Sequence, residues 1–468
     1  MKTIGLHTSF WVVCSAIIAI IYIPAIVQQG MFLDGVTYAA ISKNLSNGIG
    51  TWWKPSYTAT FNSEFYGHPP FFFILQSFFF ALLGDSFIVE RIFSFIMLLC
   101  TICGIIVVWR EYTKPYNLQA YAWLPVLLWI IIPDIIWTFS NNLLETAISP
   151  LVLFSIYFFT KSIHSKTLLF ITLGSICLWI AYGIKGPVAL FPLSFFIIHS
   201  ILFKQLTISK AIRNTIIAFS IVCILFILLC LIEPRFVHSF TIYHSIQVFA
   251  ALRGNNEITV SWRGAILVNL FISLLPLFVI TIVFLFIQKI RTKQIAKKRT
   301  HNQVFLFFIL LFVSGSLPLV ITLKQRIFYA VPSYSFITIA CALLLVHGIP
   351  TLSVKSRHIT AIIGIIGVCF GICFTIYTNN TYKKDAVLLQ DIATIHTHIP
   401  PHTIIGCTQE LTRNWKLLAY LQRFASISIT DTRKDLPYII VEKHKAFQNS
   451  EYKPYILLQT LTVYKKIT

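Results

Sequence analysis

The chain has 468 residues, 57% of them hydrophobic and only 11% charged, with a formal net charge of +21 and a mean hydropathy of +0.78. This excludes a soluble globular protein and places the chain among polytopic membrane proteins. The positive charge does not call for a nucleic-acid partner, because basic residues in such a chain are distributed first by side of the bilayer.

Apolar stretches recur near residues 9–29, 69–84, 86–109, 119–138, 143–160, 167–184, 186–203, 214–232, 264–287, 303–322, 327–346 and 358–377. The first follows Lys2, has no Ala-x-Ala cleavage site and is expected as a retained span. The second runs only sixteen residues, from Pro69-Pro70 to Gly84-Asp85, which is short for a helical crossing.

Charge decides its fate. With a cytoplasmic N-terminus and no crossing at 69–84, the clusters at Arg110 and Lys114, Lys161 and Lys166, Lys204 to Arg213, Lys289 to Arg299, and Lys355 with Arg357 all fall inside. A crossing there would turn them all outward. About eleven transmembrane helices are therefore expected in a multi-pass protein of the inner membrane, with 69–84 lying on or dipping into the outer face.

On this topology the first outer loop (30–85), the loop 233–263 and the tail beyond 377 are extracytoplasmic. Residues 1–377 form the membrane domain. The tail, 378–468, mixes charges, alternates at 427–429 and 438–441, and turns at Pro400-Pro401 and Pro437. It is expected to be a small extracytoplasmic α/β domain. Nine of the ten cysteines sit in apolar runs as small hydrophobes, and Cys407 is alone in its segment.

Ionisable residues at the outer boundary are costly, so they mark candidate sites. Asp34 directly follows the first span, and Glu145 opens a later one behind Ser140-Asn141-Asn142. Cations stand against the charge rule at Lys43, Lys54, Lys185 and the run Lys324-Gln325-Arg326, with His68 near them. Carboxylates and cations around a membrane-level cavity suit group transfer from an anionic lipid. One acid accepts the proton of an attacking hydroxyl, and the cations hold the departing phosphate. The bland alternatives are snorkelling for the cations and helix N-terminal roles for Asp34 and Glu145. The aromatic series Trp52, Trp53, Tyr57, Phe61, Phe65 and Tyr66 reads either as a sugar-stacking or lipid-entry surface or as an interfacial belt.

Together these motifs resemble a family. Leu33-Asp34-Gly35-Val36-Thr37-Tyr38, Gly67-His68-Pro69-Pro70, Gly84-Asp85-Ser86 with Glu90-Arg91, Gly183-Ile184-Lys185-Gly186-Pro187 and Lys324 to Pro332 are similar to segments of GT-C-fold membrane glycosyltransferases. The nearest kin are the protein O-mannosyltransferase-like and lipid A aminoarabinose transferase-like groups. The resemblance spans about residues 9–377.

It implies an all-α GT-C fold and transfer of a sugar from a polyprenyl-phosphate carrier to a lipid, glycan or protein acceptor. Asp34 and Glu145 would be the catalytic acids. Tyr38, His68, Lys185, Lys324, Arg326 and Tyr329 would bind substrate. The family's acid-Lys-Pro-Pro is here Gly67-His68-Pro69-Pro70, and the acid after the first Asp is Gly35. These departures leave a divalent metal open, with Glu64 near enough to supply a ligand. The rival reading is a lipid or polysaccharide transporter, which should show paired discontinuous helices and charges in both halves.

Overall fold

The computed structural model describes residues 5–253, 258–292, 302–349, 353–433, 435–445 and 447–467. Among them nine helices are long and apolar enough to cross a bilayer, and one further apolar pair, Gln119–Ile130 with Pro133–Ser140, is bent by 77° at a short break. One of the nine, Thr167–Phe203, has 37 residues, which as a straight helix would reach about 55 Å through a core of about 30 Å.

It does not run straight. The backbone leaves helical geometry at Lys185 (φ −139°) and Gly186 (φ 78°, ψ −149°). Phe159 packs on Gly174 before this break and on Phe195 and Phe196 after it, so the chain reverses there.

With the bent pair taken as one segment and Thr167–Phe203 as two, the long apolar segments among the described residues number eleven. They are Leu6–Val27, Val89–Tyr116, the bent pair, Leu144–His164, 167–185, 186–203, Ile208–Ile232, Ala265–Gln288, Asn302–Ile321, Ile327–Gly348 and Val354–Tyr377, termed spans one to eleven. Most of the basic run from Lys289 to Arg299 lies in 293–301, outside the described residues.

Between spans one and two the helix Phe71–Leu83 has 13 residues, about 20 Å of helix and too short to cross. It packs by Phe72 and Phe73 on Tyr38, with ring centroids 5.8 and 5.9 Å apart. Tyr38 belongs to the helix Leu33–Ser46, which starts earlier than the sequence suggests. Its N-cap is Phe32, with no side-chain cap bond, so Asp34 lies inside the first turn and is not the capping residue.

Two neighbours fix that helix start. Asn141 Oδ1 accepts from the Phe32 N–H at 2.7 Å, and Asn142 Nδ2 donates to the Gly35 carbonyl at 3.0 Å. A Cβ at Gly35 would lie 1.9 Å from the Asn141 carbonyl oxygen, so the second acid of the family motif has no room in this chain.

A short antiparallel pair, β1 (Gly50–Thr51) and β2 (Lys54–Pro55), follows in the same loop. The tail folds as a mixed sheet of five strands: β3 (Ile404–Cys407), β4 (Ser428–Thr430), β5 (Tyr438–Glu442), β6 (Tyr452–Leu457) and β7 (Leu461–Lys466). Its order is β4-β3-β5-β7-β6, with the first three parallel. The helix Ala386–His398 packs Ile392 and Ile395 into a core with Ile405, Leu417 and Val463.

A buried charge cluster seats this domain on the membrane part. The Arg423 guanidinium, 1% exposed, pairs with Asp85 at 2.6 Å and Glu90 at 2.8 Å and donates to the Ser86 carbonyl. Lys43 joins through Asp85 at 2.6 Å and the Arg423 carbonyl at 3.0 Å. Lys43 is therefore not a cation awaiting a lipid phosphate. Glu90, 0% exposed, and Asp85 serve this seat. Nearby, Arg91 donates to the carbonyls of Ala25 and Gly30, fixing the chain just before Asp34.

Candidate active site

Where the first outer loop, spans five and ten, and the tail converge, a cavity of about 560 Å³ opens. Its walls carry Asp34, Tyr38, His68, Lys185, Lys324, Arg326 and Tyr329, so seven of the eight candidate catalytic and binding residues share one chamber. They come from four separate stretches of chain. The exception is Glu145.

Lys185 is positioned from three directions. It ends span five, where the left-handed Gly186 turns the chain, and the Tyr243 hydroxyl donates to its carbonyl at 2.9 Å. A Cβ on Gly186 would lie 2.5 Å from that hydroxyl. The Lys185 ammonium sits 3.9 Å from the Tyr329 ring centroid, a cation–π contact. Behind it stands Glu145, whose Oε1 forms an ion pair with Lys185 Nζ.

Glu145 is buried, with its side chain 2% exposed, and does not line the chamber. This acid thus stands behind the chamber wall, within reach of Asp34 through its charge. It is the ion-pair partner of Lys185.

The run Lys324-Gln325-Arg326 is pinned by its middle residue. Gln325, 4% exposed, donates from Nε2 to the carbonyls of Arg263 (2.6 Å) and Thr322 (2.8 Å). Its Oε1 accepts from the Ile266 N–H at 2.9 Å, and its backbone N–H donates to Thr259 Oγ1 at 2.7 Å. With Gln325 turned inward, Lys324 and Arg326 on either side line the chamber. The sequence reading passed over Gln325 because an amide between two cations carries no charge signal.

Burial raises the Asp34 carboxyl above its usual range. Lys185 pulls it down, Glu145 pushes it up, and Arg326 and Lys324 pull it down further. An acid in that balance suits a general base.

His68 is drawn the other way. Burial, then Lys185 and Lys324, lower its imidazole to about 3. It is thus a neutral partner of Tyr38, whose hydroxyl lies 3.0 Å from Nε2.

The metal question turns on Glu64. It pairs with Lys54 at 3.1 Å and accepts from Tyr66 at 2.5 Å and does not line the chamber. Among the described residues no three His, Cys, Asp or Glu side chains lie close enough to share a metal ion. The acids present here do not fit a divalent site.

The aromatic series divides. Tyr57, Phe61 and Phe65 line the chamber. Trp53 packs on Phe236 at 5.3 Å, and Trp52, 50% exposed, meets Phe78, the position of an interfacial belt.

A second cavity, of about 280 Å³, adjoins the chamber. The two share Gly67, His68, Lys185, Gln247, Lys324 and Tyr329, and beyond these the second is apolar, with Val188, Leu252, Leu319 and Ile321. Several of these side chains belong to membrane spans. The arrangement can hold an anionic headgroup in the chamber with its apolar chain in the groove.

No protein-family model matches the sequence, and comparison with curated proteins finds no match. Among solved structures the chain is similar to ArnT from Cupriavidus metallidurans bound to undecaprenyl phosphate. Identity is 13%, 98% of this chain and 97% of that one are covered, and the TM-score is 0.67. The same protein in its apo state gives 12% identity, coverage of 95% of each chain and a TM-score of 0.65. At this identity what is shared is the fold: the chain is a multi-pass membrane protein of the GT-C fold with a small sheet domain at its C-terminal end.

Proposed function

We propose that the protein is a glycosyltransferase that moves a sugar from a polyprenyl-phosphate carrier onto an acceptor at the outer face of the inner membrane. The observation that carries this reading is the placement of Asp34 with Lys185, Lys324 and Arg326 in one chamber that continues into an apolar groove. A soluble nucleotide sugar has no use for such a groove. The ArnT structure of the same fold contains undecaprenyl phosphate, a ligand of the chemistry this groove and these cations suit.

In the proposed step the carrier lies in the groove and its phosphate meets Lys185, Lys324 and Arg326. Asp34 takes the proton of the acceptor hydroxyl. The hydroxyl oxygen bonds to the anomeric carbon, the bond from that carbon to the phosphate oxygen breaks, and the configuration inverts. The carrier leaves as polyprenyl phosphate with one more negative charge, which the three cations stabilise. Tyr38 and neutral His68 offer hydrogen bonds to the sugar, and Tyr329 holds Lys185 in place. Glu145 acts through Lys185. No step passes through a metal. The expected orientation puts the tail on the periplasmic side, where lipid-linked sugars are the available donors.

The test is consumption of radiolabelled undecaprenyl-phosphate sugars by membranes containing the protein. Transfer to lipid, glycan or protein, inhibited by excess undecaprenyl phosphate, is expected. Lipid movement across the bilayer without any sugar consumed would favour a transporter instead.

A further inference from the structure

We infer that the end of the chamber remote from the lipid groove, walled by Trp415 and Phe61, is the acceptor subsite and receives a sugar ring. This rests on the transferase reading above. Lys185 and Lys324, shared with the groove, mark the carrier's end of the chamber; Thr37, Tyr57, Phe61, Asn62 and Trp415 line the chamber alone, as do Asp34 and Arg326. Inverting displacement brings the attacking hydroxyl to the face of the anomeric carbon opposite the departing phosphate. With phosphate at the groove end, the acceptor comes from the other.

What stands there is aromatic. Trp415 is 47% exposed, and its ring meets Phe61 edge-on with centroids 4.9 Å apart. The edge contact holds one side of the indole and leaves much of the ring open, a rigid surface of the kind that covers the apolar face of a pyranose. Asn62 adds an amide for its hydroxyls. A peptide added as a strand is held by backbone hydrogen bonds, which ring faces do not supply.

Trp415 comes from the tail, and it is fastened to the catalytic loop. Asn414 Oδ1 caps its helix at the Leu417 N–H (3.1 Å), and Lys416 pairs with Asp385 at 3.1 Å. Tyr420, little more than a turn further on, accepts from the Met31 N–H at 3.2 Å and lies 3.1 Å from the Met31 carbonyl. Met31 is three residues before Asp34. The tail thus presents an acceptor-binding surface in fixed relation to the base, a role for a domain that carries no motif of its own.

The test uses the detergent-purified full chain with four probes: lipid A, a soluble glucosamine disaccharide, a Ser/Thr-rich peptide, and undecaprenyl phosphate as the carrier-side control. Wild type is expected to bind the sugar probes and not the peptide. Trp415→Ala should weaken that binding at least tenfold, Trp415→Tyr should restore part of it, and Phe61→Leu should weaken it less. Undecaprenyl phosphate affinity should be the same in all four proteins.

Loss with lipid A but no binding of the free disaccharide would identify a lipid-held glycan as the source. Sugar binding indifferent to Trp415→Ala, or peptide bound in place of sugar, overturns the inference while leaving the transferase reading intact if undecaprenyl phosphate still binds. A wild type that binds no undecaprenyl phosphate and transfers nothing overturns both.

Discussion

Glu145 and Lys185, forty residues apart in sequence, form a buried ion pair in the wall of the chamber, with only the lysine reaching its surface. Glu145 opens span four and Lys185 closes span five, so the pair ties the neighbouring ends of two antiparallel helices. Removing one member of such a pair strands the other charge, at a typical cost of about 3–5 kcal/mol. Glu145→Gln should therefore lower thermal stability and weaken undecaprenyl phosphate binding together. The double variant Glu145→Gln, Lys185→Met should regain stability but not binding. Melting curves and ligand titration of the two variants check this.

The charges around Asp34 set a pH dependence. A base acts ionised, so kcat/KM should rise with pH through the Asp34 pKa of the free enzyme, above the ordinary aspartate value because burial raises it. Arg326 pulls that pKa down, so Arg326→Gln should move the acid limb to higher pH as well as weaken donor binding. A limb that stays put would mean that another group titrates.

Gln325 offers a test of positioning. Gln325→Ala removes a buried amide with several partners and leaves the carbonyls of Arg263 and Thr322 without their donor, at about 1–3 kcal/mol for each group stranded. Donor KM should rise, because Lys324 and Arg326 lose their anchor. Gln325→Glu keeps the shape but loses the donor N–H groups and should behave like the alanine variant. Donor kinetics alongside thermal unfolding check the split.

The seat of the tail should be equally sensitive. Arg423→Met strands the buried Glu90 and leaves Asp85 with Lys43 as its partner. The expected result is a tail cut by protease at much lower protease concentration than in wild type, with transfer reduced because Trp415 moves with the tail. Limited proteolysis of the purified variant reads this directly.

Much of the site was legible because the membrane makes ionisable residues expensive. Asp34, Lys185, Lys324 and Arg326 stood out against apolar surroundings and the charge rule, and the topology derived from the other charges put them on one face. The apolar segments were legible from their hydropathy, including the break at Lys185-Gly186 that divides Thr167–Phe203.

What sequence could not separate was a charge that faces substrate from a charge that faces another charge. Glu145, Lys43 and Asp85 carry the same signal as Asp34, yet each is taken up by an ion pair with a group from another part of the chain; Asp85 and Arg423 lie 338 positions apart. His68 was legible as a chamber residue, but the burial and the two neighbouring cations that lower its pKa were not. Trp415 was invisible because nothing in the tail's own sequence points to the chamber.

The most direct measurement of the central claim compares wild type with Asp34→Asn in single-turnover transfer from an undecaprenyl-phosphate sugar, with carrier affinity measured in parallel. Asparagine keeps the shape and removes the base. The expected result is unchanged or tighter carrier binding with turnover lower by about 10²–10⁴-fold, the range for loss of a general base. Turnover within a few-fold of wild type, with the carrier bound, would contradict the assignment of Asp34 as the group that accepts the proton.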